Sequence, residues 1–306
     1  MKKKKVIAIV GPTAVGKTAL GIYLANQLGG EIISGDSLQV YKQLDIGTAK
    51  ATKEEQAQAT HHLIDVREIN QNYSVADFQK EGRKLIKQID VPIIVGGTGL
   101  YVQSLLEDYS LGGATESTGI REKYQNYLEE NGKAALWQLL KETDPIAADI
   151  IHENNSRKII RALEVFENTG KSIINADGEN TLELYDTKII GLITDRELLY
   201  ERINQRIDLM MNSGLLDEAK LLFEKYPNAQ AAQGIGYKEF FPYFRGETTL
   251  TECVELVKKN SRNYAKRQIT WFRNRMNTHW IDIVQNPVAI EQELRELTLW
   301  LNDGGN

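Results

Sequence analysis

Residues Gly11-Pro12-Thr13-Ala14-Val15-Gly16-Lys17-Thr18 fit the pattern G-x-x-x-x-G-K-[ST]. Glycines let backbone amides approach phosphate oxygens, the lysine supplies a point charge, and the terminal hydroxyl can ligate Mg²⁺. The chemistry is the binding of a phosphorylated ligand, with Thr18 on the metal side. A diphosphate ester satisfies such a loop as well as a nucleotide such as ATP. P-loop NTPases commonly end another strand in an aspartate that helps hold Mg²⁺, but here the apolar run Ile93-Ile94-Val95 passes into Gly96-Gly97-Thr98. The carboxylate that does emerge from such a run is Asp36, after Ile32-Ile33-Ser34-Gly35. It can act as a general base, as a Mg²⁺ partner through water, or as a helix cap before Ser37-Leu38-Gln39.

A second chemistry lies near the C-terminus. Residues 256–281 hold Lys258, Lys259, Arg262, Lys266, Arg267, Arg273 and Arg275 and no Asp or Glu. In a chain whose 37 Lys and Arg against 42 Asp and Glu leave a net charge of −5, that segregation points to a polyanion held by a local patch. Lys259, Arg262, Lys266 and Arg273 follow at intervals of 3, 4 and 7, hence on one helical face, with Tyr264, Trp271 and Phe272 interleaved. Contact with nucleic-acid phosphates explains such a face better than solvation, because no acidic partners accompany it. His61 and His62 diverge as chain neighbours and have only His152 and His279 to help, which favours hydrogen bonding over zinc. Cys253, the sole cysteine, excludes an internal disulfide and reads as a small helix residue.

The elements that must position these residues are legible in the hydrophobic pattern. Val6 to Val10 is a continuous apolar run of the kind buried on both faces of a parallel sheet. Similar runs cover Glu31 to Ser34, Ile89 to Val95 and Lys188 to Ile193, and Pro92 predicts that the third is irregular or near an edge. Lys17 to Leu28 has helical spacing, so strands alternate with helices as in a right-handed α/β sheet. From about Gly119 to Gly170 the pattern is helical only: Arg121 to Asn131, Ala134 to Glu142, Pro145 to His152 and Arg157 to Asn168. Lying between two strands, this block reads as an insertion, with Thr169 to Thr187 as a polar return linker. Further helices are expected over Glu197 to Asn212, Leu215 to Tyr226 and about Thr249 to Met276. With 306 residues, 42% apolar and 26% charged, the chain is globular and long enough for two units at roughly 150 residues each. The expected division is 1–115 with 186–306 as the core and 116–185 as the insertion. The basic start Met1 to Lys5 precedes too short an apolar run for an export signal, and no stretch approaches the ~18 apolar residues of a membrane span. No membrane contact, a cytoplasmic location and no obligate protein partner are expected.

Seven ordered motifs carry a resemblance. Asp36-Ser37-Leu38-Gln39-Val40-Tyr41, Asp45-Ile46-Gly47-Thr48-Ala49-Lys50, His61-His62-Leu63-Ile64-Asp65 and Gly96-Gly97-Thr98-Gly99-Leu100-Tyr101 resemble the tRNA dimethylallyltransferase family. So do Arg157-Lys158-Ile159-Ile160-Arg161-Ala162-Leu163-Glu164, Gln233-Gly234-Ile235-Gly236-Tyr237 and Lys266-Arg267-Gln268-Ile269-Thr270-Trp271. The match spans the chain to about residue 280. Leu38 stands where many members carry Arg or Met, and Asn155 where Asp is common. The absence of a Cys/His zinc-finger tail makes the bacterial type the better fit.

The resemblance implies a P-loop NTPase-like α/β core with an all-helical insertion, and transfer of a prenyl group from dimethylallyl diphosphate to N6 of adenosine 37 in the tRNA anticodon stem-loop, with Mg²⁺. It implies Asp36 as general base, Thr98 as a phosphate-side hydroxyl and Arg206 as partner of the leaving diphosphate. Arg202, four residues earlier on the same helical face, shares that role or pairs with Glu201 or Asp195. Ser37, Leu38 and Gln39 are expected beside the base, with Ser37 and Gln39 exposed to read the base edge or neighbouring nucleotides. Thr98, Gly236, Lys238, Arg267 and the Lys259, Arg262, Lys266 and Arg273 face complete the tRNA contacts of the core. Arg121, Arg157, Lys158 and Arg161 grip from the insertion, where Arg161 equally suits an ion pair with Glu164 or Glu167. The adenosine should be flipped out of its stack. A P-loop kinase of a small hydroxyl substrate explains the first hundred residues equally well but not the insertion or the basic helix, and an RNA-dependent ATPase is the reading from another class.

Overall fold

The structure is a computed structural model that describes residues 3–108, 118–176 and 182–303. The chain divides into two compact units, Met1–Leu106 with Leu184–Asn306, and Glu107–Glu183. The expected boundary at 115/116 and part of the expected return linker lie outside the described residues.

The first unit is built on a wholly parallel sheet in the order β3-β2-β4-β1-β5-β6. Its strands are β1 (Lys5–Val10), β2 (Glu31–Ser34), β3 (His61–His62), β4 (Pro92–Gly96), β5 (Asp186–Leu192) and β6 (His279–Ile281). The unbroken apolar run of β1 has a direct cause. Val6, Ala8 and Val10 enter one hydrophobic cluster with Ile33 and Ile94, while Ile7 and Ile9 enter a second with Ile32, Ile93 and Leu192. Both faces are buried, and each Val or Ile side chain among them contributes about 1.5–3 kcal/mol of transfer free energy.

Around the sheet lie α1 (Lys17–Leu28), α2 (Lys53–Gln58), α3 (Val75–Gln88) and α4 (Gly99–Leu106). The second unit is helical: α5 (Thr118–Thr143), α6 (Pro145–Ile150), α7 (Ser156–Thr169) and α8 (Ile173–Ala176), around Leu136, Leu140, Ile159 and Leu163. The chain returns to the first unit with α9 (Arg196–Asn212), α10 (Leu215–Lys225), α11 (Phe241–Phe244), α12 (Leu250–Arg275) and α13 (Ala289–Asn302). α12 starts at a capping box between Thr249 and Glu252. Gly132, at φ 81°, breaks α5 between the two helices expected there.

One expectation is corrected. β4 is not near an edge but lies between β2 and β1, because Pro92 is its first residue, where a missing amide costs no ladder bond. The short edge strands β3 and β6 carry too few residues to show a pattern. Among the described residues no helix is long and apolar enough to cross a membrane.

Candidate active site

The phosphate loop connects β1 to α1. Gly11 has φ 136°, and a Cβ there would stand 2.5 Å from the Leu192 carbonyl oxygen on β5, so the turn leaves the strand only with glycine. Gly16, at φ 95°, is the N-cap of α1 and brings no capping side chain. The first amides of the helix are therefore uncapped by side chains and open to an anion, with the helix dipole behind them. Arg202 Nε donates to the Ala14 carbonyl at 2.8 Å, tying α9 to the loop, so of the two alternatives for this residue the pairing with Glu201 or Asp195 is not the one the structure shows. Asp195 instead caps α9 through the amides of Glu197 and Leu198.

Three charged groups meet in the crevice at the carboxyl ends of the strands. Lys17, whose Nζ donates to the Pro12 carbonyl at 2.5 Å, has its ammonium pushed down to about 7 by burial and then by Arg206, against the pull of Asp36. Burial raises the Asp36 carboxyl above its ordinary range, opposed by the Leu38 amide, Lys17, the Gln39 amide and Arg206. Arg206 is lowered chiefly by burial, with Glu55 and Asp36 favouring its charge and Arg202 opposing it, and its Nε is buried without a hydrogen-bond partner. A half-buried cation whose buried Nε has no partner, beside a phosphate loop, suits an incoming polyanion. Asp36 caps no helix, because none follows. Its Oδ1 accepts from the Leu38 amide at 2.9 Å in a local turn.

α12 supplies further parts of the crevice. Thr98 Oγ1 accepts from the Ser37 amide at 3.3 Å, and the Tyr264 hydroxyl shares a hydrogen bond with Thr98 while burial and Asp36 push its phenol up to about 12. Gln268, 5% exposed, donates from Nε2 to the Gly97 carbonyl at 2.9 Å. Trp271 lies against Gly99, where a Cβ would be 2.2 Å from Cδ1, and Arg275 stacks over its ring at 4.9 Å. The glycine turn that replaces the usual strand-end aspartate is thus the surface on which α12 rests. Gln268 stands within a motif of the resemblance but was assigned no role there, since a glutamine on a basic helix carries no signal of its own.

The expected RNA-contact residues separate into free and engaged groups. Lys259, Lys266, Arg267 and Arg273 are exposed on α12, with Arg267 over the Tyr264 ring and Arg273 over that of Trp280. Arg262 is half-buried and donates to Asn204 Oδ1 at 2.6 Å. Lys258 does have acidic partners, Asp208 at 2.8 Å and Glu255 at 3.2 Å, because α9 runs alongside and its acid is remote in sequence. Gln39 is not exposed. Its carboxamide accepts from Ser34 and donates to the carbonyls of Thr48 and Ala49, bracing the loop it stands on. Ser37 and Leu38 are half-buried, Gly236 is buried, and Lys238 is exposed. In the helical unit Arg121 and Arg161 both bind the buried Glu164, at 3.1 and 2.9 Å, whereas Arg157 and Lys158 are exposed on α7. Asn155 accepts from the Lys158 amide as the N-cap of α7. His62 bonds Glu31 at 2.7 Å and His61 the Ala59 carbonyl at 2.8 Å.

The IPP transferase family model matches residues 39–275. A tRNA dimethylallyltransferase of Enterococcus faecalis is 59% identical over 304 residues, covering 97% of this chain and 98% of the relative. Its alignment therefore extends N-terminal of the family match, across Asp36. The solved full-length tRNA isopentenylpyrophosphate transferase of Bacillus halodurans shares 43% identity at a TM-score of 0.74, covering 98% of each chain. A eukaryotic dimethylallyltransferase acting on tRNA shares 30% identity at a TM-score of 0.78, covering 98% of this chain and 85% of that one.

Proposed function

The chain belongs to the IPP transferase family, and from that premise we propose that it transfers a dimethylallyl group from dimethylallyl diphosphate to N6 of adenosine 37 in tRNA, in the cytoplasm. The observation that carries this reading is the meeting of Asp36, Lys17 and Arg206 in one crevice, a carboxylate able to take a proton beside cations able to hold a diphosphate. As N6 forms its bond to the prenyl C1, the carbon–oxygen bond to diphosphate breaks and its electron pair leaves with the phosphate. The loop amides, Lys17 and Arg206 stabilise that charge, and the Thr98 hydroxyl binds on the phosphate side. The exocyclic amine is a poor nucleophile because its lone pair is delocalised into the ring. Asp36 accepts the proton that N6 loses as the bond forms.

Thr18 offers a single hard oxygen, and no group of three His, Cys, Asp or Glu among the described residues could cage a metal. That donor set suits Mg²⁺ held largely by diphosphate and water, with Thr18 as the protein ligand. When bound, the metal supplies further charge neutralisation to the leaving group. Lys259, Lys266, Arg267, Arg273 and Lys238 of the first unit, and Arg157 and Lys158 of the second, contact tRNA phosphates.

The test is mass spectrometry of nucleosides from unmodified tRNA incubated with protein, Mg²⁺ and dimethylallyl diphosphate, paired with calorimetry of that donor and of ATP. An adenosine carrying one added C5H8 unit, and tighter binding of the prenyl donor, are expected. Tight ATP binding with hydrolysis and no prenylated adenosine would promote the kinase or ATPase reading.

A further inference from the structure

Glu218, in the first turn of α10, receives four hydrogen bonds. The backbone amides of Asp45, Ile46 and Gly47 donate to its carboxylate at 2.7, 3.0 and 2.8 Å, and the Tyr237 hydroxyl donates at 2.5 Å. Successive amides converging on one anion form a nest, and charge-assisted bonds of this kind are roughly twice as strong as neutral ones. The two donor segments also pack on each other. Tyr237 is fully buried, and a Cβ on Gly47 would stand 2.6 Å from its Cζ.

The clamp reaches further than its own donors. Gln39 bonds the Thr48 and Ala49 carbonyls just beyond the nest. Leu38 packs on Gly234, where a Cβ would lie 2.7 Å from Leu38 Cδ1. On the other side of the 234–238 turn, the buried Glu239 accepts from the Gly236 amide at 2.9 Å and from Asn260 of α12 at 2.8 Å. Residues 37–39, the 234–238 turn and α12 are thus joined through Leu38 packing, the Gln39 hydrogen bonds and the carboxylates of Glu218 and Glu239, which stand outside the RNA-contact set.

We propose that Glu218 is a positioning residue for tRNA: by holding the 45–47 amides and Tyr237 together, it fixes residues 37–39 and 236–238 in the arrangement that seats the nucleotides around the target adenosine. The proposal rests on the tRNA-prenylating reading above.

Glu218→Gln keeps the side chain's shape but turns an amide toward the amide donors. Loss of these charge-assisted bonds raises KM for tRNA by about 10- to 100-fold in steady-state prenyl transfer. The kcat and the donor affinity by calorimetry stay unchanged, and so does the salt slope of tRNA binding, because no phosphate contact is lost. The sign is discriminating. Removing a negative charge near a polyanion-binding surface would tighten tRNA by Coulomb attraction alone. An unchanged or lower KM overturns the proposal, and so does a fall in kcat at constant KM, which reports only a smaller folded fraction. Tyr237→Phe keeps the ring on Gly47, removes one donor, and raises KM by about 3- to 10-fold; should Glu218→Gln fail to fold, an unchanged KM in this variant overturns the proposal instead. Failure of the functional reading is separate, since wild-type protein would then leave tRNA unprenylated.

Discussion

Replacing Asp36 with Asn separates catalysis from folding at one atom. Oδ1 of the new side chain still accepts the Leu38 amide, now 2.9 Å away, so the turn survives with a neutral acceptor in place of a charged one, at a cost of about 1 kcal/mol. A gain acts against that cost. Burial raises the Asp36 carboxyl, so the folded chain holds its proton more tightly than the unfolded chain, and each unit of elevation is about 1.4 kcal/mol of destabilisation once both forms are ionised. The sign follows: wild type loses stability as pH climbs from the unfolded value through the raised folded one, and the Asn variant does not. At neutral pH the two effects oppose, and the variant melts within a few degrees of wild type or above it. Chemistry fares differently. General base catalysis contributes about 10²- to 10⁴-fold, roughly 3–5 kcal/mol of barrier, so single-turnover prenyl transfer falls by that factor while loop amides and Arg206 still bind the donor. Rapid quench with radiolabelled donor, beside melting curves from acid to neutral pH, measures both. Transfer at the wild-type rate would refute the base assignment, and a collapsed melting temperature would make Asp36 a structural residue first.

Three other outcomes follow from the same geometry. The single-turnover rate of wild type should fall as pH drops through the raised Asp36 value, with the midpoint above the ordinary aspartate range, because protonation removes the base; a rate flat down to that ordinary range counts against it. Lys259→Ala with Lys266→Ala should flatten the log–log salt dependence of tRNA binding by about one unit per contact with donor affinity unchanged, as both side chains are exposed; an identical slope returns this face to solvent. Gly99→Ala places a Cβ 2.2 Å from Trp271, so calorimetric melting should show a loss of about 1–3 kcal/mol from overpacking, and an unshifted melting temperature would mean that α12 yields freely.

The phosphate loop and its strand and helix are local objects. Their residues are contiguous, and a buried parallel strand writes itself as an apolar run whatever its neighbours are, so β1, β2 and the loop were legible along with the start of α12 near Thr249. Asp36 was legible as a carboxylate at a strand end, but its raised carboxyl was not, because the burial that raises it and the Lys17 and Arg206 charges that oppose it come from elements brought together only by the order of the sheet. The central place of β4 was misread from Pro92, since edge or centre is a property of pairing and the sequence shows only the missing amide. The free and engaged cations of α12 are equally basic in the sequence. What distinguishes Lys266 from Lys258 or Arg262 is the packing of α9, which brings Asp208 and Asn204 from some fifty residues away. Glu218 is the extreme case. An ordinary glutamate in an amphipathic helix, it gained its role only when the fold turned three amides and a phenol toward it, for hydrogen-bond partners distant in the chain are chosen by tertiary geometry alone.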